Sequence, residues 1–151
     1  MLMNKITLFR GEYRFLSNFY QCPFSYRGLV YPNAESAFQA QKCSTEEGKI
    51  KYTLQKNPVR AKQMGKKEPD LPVNWDEISL DIMREILIAK FSVLDLAEML
   101  KATGDAYIEE SNHWHDNRWG NCICEKCELE EGQNLLGKLL MDIRTDLYKQ
   151  L

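Results

Sequence analysis

FLSNFYQCPFSYRGLVYPNAESAFQAQK, residues 15–42, decides how the rest of the chain is read. It opens on an aromatic and asparagine run, Phe15 to Tyr20. From Phe24 to Tyr31 aromatic residues crowd around Arg27-Gly28, a pattern that predicts two short strands and a turn. Asn33, just after Pro32, is a predicted N-cap, because its side-chain oxygen can accept from the open amides of a first helical turn. A short helix then runs to Cys43. At about 100° per residue, Glu35, Gln39 and Lys42 fall within about 60° of one another, on a face roughly 10 Å long. Ala34, Ala37 and Phe38 occupy the neighbouring face and can pack inward. A carboxylate and an amine bridged by an amide make either a reaction site or a solvated helix surface, and the pattern leaves both open.

Outward from this stretch the chain reads as one α+β domain, helix-dominated, with a small antiparallel sheet. Ile6 to Phe9 is apolar and β-branched, a short strand. Ser44 to Leu54 and Asn57-Pro58 to Gly65 are two further helical runs, the second opened by a proline that a first turn tolerates. Pro69 and Pro72 mark a loop that delivers Trp75. From Asp76 the period is helical: Ile78, Ile82, Ile86, Ala89, Val93 and Leu96 recur at steps of three and four, as one helix or as two broken near Ser92. Thr103-Gly104-Asp105 interrupts it, and Ala106–Glu110 is a last candidate strand. Ser111 to Gly132 looks irregular, and Gln133 to Leu151 closes with a helix whose Leu136, Leu140, Ile143 and Leu147 face inward.

A length of 151 residues suits one core, and 44% hydrophobic with 28% charged residues is ordinary for a globular protein. The net charge of −2 draws the chain to no polyanion, so any nucleic-acid contact has to come from a local site. No apolar run is long enough for a membrane span and no secretory leader is evident, so the cytoplasm is the expected location. Five cysteines, three of them within six residues, fit reduced thiols or a metal site better than an extracellular disulfide frame.

Those three cysteines lie in a second rich stretch, SNHWHDNRWGNCICEKC, residues 111–127, with both histidines and two of the three tryptophans. A zinc deaminase pattern fails, because the histidines lack the glutamate and no proline precedes the cysteines. The run His113-x-His115-Asp116 also falls short of a hydrolase metal site. Cys122-x-Cys124-x-x-Cys127 supplies three thiolates at metal-compatible spacing, and His113 or His115 can complete a tetrahedron. A structural zinc held by His115, Cys122, Cys124 and Cys127 therefore stands beside the plainer reading of three reduced, partly buried thiols. Trp75, Trp114 and Trp119 are each core residues or ligand platforms. Asp116 beside Trp119-Gly120 is a carboxylate near an aromatic wall, where a glycine lets backbone approach a ligand.

Taken together, the motifs resemble the NADAR family, the YbiA-like N-glycosidases. FLSNF at 15–19 resembles its opening motif. Tyr31-Pro32-Asn33-Ala34-Glu35 through Phe38-Gln39-Ala40-Gln41-Lys42 resembles its P-x-x-E-x-x-F-Q-A-x-K core. Arg60-Ala61-x-x-Met64-Gly65, Asn74-Trp75-Asp76, Met83-Arg84 and Ala89-Lys90-Phe91 resemble the helices that follow. Asp116-x-x-Trp119-Gly120 resembles its D-x-x-W-G, and Gly132-x-Asn134-x-x-Gly137-x-x-Leu140-Met141-x-x-Arg144 its closing helix. The resemblance covers nearly the whole chain, in order. It breaks at the cysteine segment between Gly120 and Gly132, where better-known members carry a short glycine, lysine and aspartate loop.

The resemblance implies a YbiA-like fold and hydrolysis of the C1′–N bond of a ribose that bears a 5′-phosphate. The substrate is either a phosphorylated ribosylamino-pyrimidine of riboflavin synthesis or an ADP-ribosylated guanine in nucleic acid. Glu35 is then the expected acid–base group, and Asp116 orients water or steadies the oxocarbenium-like cation. Lys42 neutralises phosphate or attacks C1′ as an imine-forming nucleophile. Trp75 and Trp119 stack on base or ribose beside Gly120, and Arg10, Asn18 and Asn134 hold hydroxyls or phosphate. Glu35, Trp75 and Asp116 are expected to share a cleft. No cofactor is required for such a reaction, and zinc would only staple the cysteine loop. Two other classes remain: a non-catalytic binder of ADP-ribose or NAD-type ligands, and a zinc-stabilised interaction module.

Overall fold

The computed structural model describes residues 4–150. They form two compact units: one from the described residues of Met1–Ser17 and Leu94–Leu151, the other from Asn18–Val93.

The Asn18–Val93 unit is built on the expected hairpin. Strands β2 (Phe24–Tyr26) and β3 (Leu29–Tyr31) pair antiparallel, with Phe24 opposite Tyr31 and Tyr26 opposite Leu29. Arg27 and Gly28 both take positive φ, 48° and 84°, which matches a tight two-residue turn to the strand twist. Helix α1 (Ala34–Ala40) follows, and the Asn33 side chain accepts from the Ser36 amide at 2.8 Å, the predicted cap. Helices α2 (Glu46–Leu54) and α3 (Pro58–Lys66) are capped by Thr45 and Asn57. Gly65 lies inside α3 rather than after it. Helix α4 (Trp75–Lys90) buries Ile82, Met83, Ile86 and Leu87. Packing of α2, α3, α4 and β3 around α1 leaves every residue of that short helix buried.

In the other unit, a 3-10 turn at Gly11–Leu16 buries Phe15 and Leu16. Strand β1 (Lys5–Ile6) pairs in parallel with β4 (Tyr107–Ile108); β1 shares only Ile6 with the expected Ile6–Phe9, and β4 is a shorter piece of the expected Ala106–Glu110. Helix α5 (Leu94–Ala102) is the separate second half of the long apolar pattern. Val93 is 38% exposed rather than core, because the chain turns there and the two helices serve different units. The stretch expected to be irregular holds a second parallel pair, β5 (Ser111–Asn112) with β6 (Asn121–Cys122), and a 3-10 turn at Glu125–Cys127. Helix α6 (Leu135–Lys149) packs on α5 and β4 through Leu136, Leu139, Leu140 and Ile143. Its predicted end at Leu151 lies outside the described residues. The fold is α+β and helix-dominated. Its antiparallel sheet is the single hairpin, and the other two described strand pairs are parallel.

Candidate functional site

Of the two readings of the Glu35 face, the solvated one fails. Glu35 is 7% exposed and Gln39 5%, on a helix closed in on all sides. A charged carboxylate tolerates such burial only with partners. One is Gln39, whose Nε2 donates to Glu35 Oε1 at 2.8 Å, one helical turn away. The backbone at this point is tied to the aromatic and asparagine run, since the Glu35 amide donates to the Asn18 carbonyl at 3.0 Å. Asn18 points its Nδ2 at Met83 Sδ, 3.5 Å away.

Two buried amide oxygens here, Asn18 Oδ1 and Gln39 Oε1, have no hydrogen-bond partner among the described residues. Leaving such an acceptor unmade costs about 1–3 kcal/mol, and Gln41 Oε1, just past the same helix, is left unmade as well. Gly65 of α3 makes room for the Gln39 amide: a Cβ there would stand 1.9 Å from Gln39 Oε1.

Lys42 is half-buried, with Nζ 3.4 Å from the Gly65 carbonyl and 5.9 Å from the centre of the Trp75 ring. Burial pushes its amine below the ordinary lysine range, against the upward pull of the Glu35 and Glu68 carboxylates. Trp75 begins α4 and leans on Phe38, ring centres 5.3 Å apart at 49°. Phe38 thus anchors the indole to α1 while part of the ring stays open. Four of the sequence-predicted residues, Asn18, Glu35, Lys42 and Trp75, are in this unit. An open hollow elsewhere on it, lined by Arg27, Leu29, Tyr31, Gln41, Glu46 and Lys49, holds none of them.

Arg10, Asp116, Trp119, Gly120 and Asn134 belong to the other unit. Asp116 Oδ1 accepts from the amides of Arg118 and Trp119, at 3.1 and 2.9 Å, closing a tight turn. Trp119 carries the Arg118 guanidinium 4.8 Å above its ring. Gly120 is buried, and a Cβ there would lie 2.1 Å from the Glu110 carbonyl oxygen, so packing alone demands a glycine. Asn134, 3% exposed, accepts from the Glu110 amide and donates to Tyr107 Oη and the Ile108 carbonyl, bracing β4 against the start of α6. Arg10 is exposed at the start of the 3-10 turn.

The loop also contains an organiser that the sequence reading passed over. Asn112, 1% exposed, accepts from the amides of Trp114 and Asp116 and donates to the Asp116 carbonyl at 2.8 Å. A lone asparagine in an unpatterned stretch gives no sequence signal for this role.

In the same loop the ligand atoms of His115, Cys122, Cys124 and Cys127 lie within 4.8 Å of one another, a set able to hold a metal ion. Between the two histidines the choice falls on His115, which adopts φ 67° to reach the thiols; among the described residues His113 is not in the group. Burial works against ionising Cys122, but the Cys124 and His115 amides and the neighbouring thiols bring it down to about 7. Burial and the two adjacent thiols push Cys127 up to about 12.

A profile of the NADAR domain matches residues 8–148. The chain is 33% identical over 138 residues to N-glycosidase YbiA from Escherichia coli (strain K12), covering 90% of this chain and 82% of that protein. The NMR structure of the E. coli protein YbiA matches with a TM-score of 0.81 at 30% identity, over 99% of this chain and 89% of that one. Riboflavin biosynthesis protein PYRR, chloroplastic, from Zea mays is 28% identical over 131 residues, which span 79% of this chain and 20% of that protein. The chain is therefore a member of the NADAR family.

Proposed function

We propose that the chain is an N-glycosidase that hydrolyses the C1′–N bond of a phosphorylated ribose, with Glu35 as its acid–base group and Lys42 as its nucleophile. The observation that carries this reading is the buried Glu35–Gln39 pair with two unmade amide oxygens, Asn18 Oδ1 and Gln39 Oε1, beside it. Ribose hydroxyls are the donors such acceptors lack. Relatives named N-glycosidase over most of the chain supply the reaction class.

In the substrates considered, ribose is joined to an exocyclic amine, so ring opening turns the C1′–N bond into an imine. The Lys42 amine, biased toward its neutral form by burial, adds to C1′. Expulsion of the base follows, its nitrogen taking a proton from Glu35. Water, deprotonated by the same carboxylate, then hydrolyses the lysine imine and releases the sugar phosphate. Gln39 fixes the Glu35 carboxylate through these exchanges, and the open face of Trp75 offers a stacking surface for the base. Asp116 is the second carboxylate of the reaction, Trp119 a further platform and Arg10 a phosphate contact, roles that rest on the family pattern. Asn134 and Gly120 serve the frame that carries them.

A small phosphorylated ribosylamino-pyrimidine is the preferred substrate, favoured by the riboflavin-pathway relative and by a net charge of −2, which gives a nucleic acid no general attraction. The test is a side-by-side incubation with that nucleotide and with ADP-ribosylated guanine DNA, reading released ribose 5-phosphate or ADP-ribose by mass spectrometry. Expected is faster release from the small riboside. Faster release from DNA moves the substrate to the nucleic acid, and binding without release from either leaves a ligand-binding module and ends the enzymatic reading.

A further inference from the structure

We propose that His115, Cys122, Cys124 and Cys127 bind a single zinc ion, in a closed structural centre that folds the 113–132 segment. This centre lies outside the hydrolytic chemistry above and does not depend on it. A tetrahedral zinc with one nitrogen ligand near 2.05 Å and sulfur ligands near 2.3 Å sets nitrogen–sulfur edges of about 3.6 Å. His115 Nδ1 stands 3.4 Å from Cys124 Sγ, 3.3 Å from Cys127 Sγ and 3.8 Å from Cys122 Sγ. These three distances bracket the tetrahedral edge. Soft thiolates with one imidazole select zinc over the hard cations, and four protein ligands leave no open position for a reacting water.

The surroundings are those of a metal-bound thiolate. The His115 amide donates to Cys122 Sγ at 3.3 Å, and Asn117 Oδ1 accepts from the Cys122 amide at 2.8 Å, so both ligands are held from the backbone.

A second observation is independent of the ligand geometry. Between Ile123 and Gln133 every described residue except Cys127 is exposed or half-exposed; Leu129 is fully exposed and Ile123 49% exposed. Ordering eleven residues costs on the order of 1–2 kcal/mol each, and this segment has almost no apolar burial to offset that. Metal ligation supplies the missing free energy, as it does in small domains that lack a core. The zinc thereby also fixes the turn that Asp116 closes on Arg118 and Trp119, inside the same loop.

The full chain, purified under reducing conditions and dialysed against metal-free buffer, is expected to retain about one zinc per chain by mass spectrometry. Mercurial titration of its thiols should release that zinc in step with three thiols. Cobalt exchange should give thiolate charge-transfer bands with the strong visible absorption of a tetrahedral site. Removal of zinc by a chelator should lower the melting temperature by several degrees, the stability linked to a ligand bound only by the folded state. Cys124→Ser, which alters the half-exposed ligand, should lose most of the zinc, whereas His113→Ala should keep it. Zinc below a tenth of an equivalent in reduced, zinc-reconstituted wild-type protein overturns the proposal. So does a melting temperature indifferent to chelation. Both readouts use the wild-type chain and hold even if a cysteine variant fails to fold.

Discussion

Lys42 is a lysine whose surroundings disagree about its charge. Burial lowers its proton affinity and the Glu35 and Glu68 carboxylates raise it, with burial prevailing. The rising limb of the rate against pH is therefore expected below the ordinary lysine range of about 10.4. Lys42→Arg keeps a cation for phosphate but cannot form an imine. It is expected to lower turnover at least ~100-fold, and borohydride should trap a sugar phosphate on the wild-type chain only. A fully active Lys42→Arg enzyme would reduce Lys42 to a phosphate contact. Asp116→Asn separates charge from shape in the same spirit, since asparagine retains the Oδ1 acceptor that the Arg118 and Trp119 amides require. We expect an unchanged melting temperature with kcat/KM down by ~10-fold or more. Unchanged activity would make Asp116 a loop brace alone. The sequence exposed Glu35, Lys42 and Asp116 as residues, but not that Asp116 caps its own turn, because that depends on backbone geometry with no periodic signature.

Among the elements, α1 and α3 depend on one another through Gly65. Alanine in a helix interior is favoured over glycine by about 1 kcal/mol, so propensity alone says that Gly65→Ala stabilises. The added Cβ would stand 1.9 Å from Gln39 Oε1, which forces Gln39 off Glu35 and breaks a buried bond worth about 1–3 kcal/mol to leave unmade. The loss exceeds the gain. Gly65→Ala is expected to melt a few degrees lower and to turn over ~10-fold more slowly; a higher melting temperature with full activity would show that Gln39 can move without harm. The cap at Asn33, the helix start at Asn57-Pro58 and the Arg27-Gly28 turn are legible because each is decided within three or four residues. The enclosure of α1 was not, since helical spacing reports which side chains share a face and not how many neighbours arrive from α2, α3, α4 and β3. The long apolar pattern from Ile78 to Leu96 is helical on either side of a break near Ser92, yet periodicity does not show that its two halves serve different units.

For the molecule as a whole, the family pattern carried further than local rules, since the NADAR profile runs through both units while the cysteine loop departs from it. Lys90 shows what burial of a motif residue costs in global stability. It is fully buried in α4, with its amine 5.1 Å from the Phe91 ring and 6.0 Å from Tyr20, and burial pushes it down to about 8, slightly opposed by Cys22. Between about pH 8 and the unfolded lysine value of about 10.4, the folded chain holds fewer protons than the unfolded one. The penalty is complete below pH 8 and is relieved as pH rises. Denaturant unfolding is thus expected to show a gain of a few kcal/mol across that window relative to Lys90→Met, which lacks the group. Parallel curves for the two proteins would contradict a buried, proton-shedding Lys90.

Whether the buried carboxylate of α1 runs the hydrolysis is decided by Glu35→Gln. Glutamine keeps the size and the Gln39-facing oxygen but exchanges no proton. Binding of the phosphorylated riboside, followed by calorimetry, should stay within a fewfold of wild type while single-turnover release of the sugar phosphate falls at least ~100-fold. Release at the wild-type rate would remove Glu35 from the chemistry and the proposed mechanism with it.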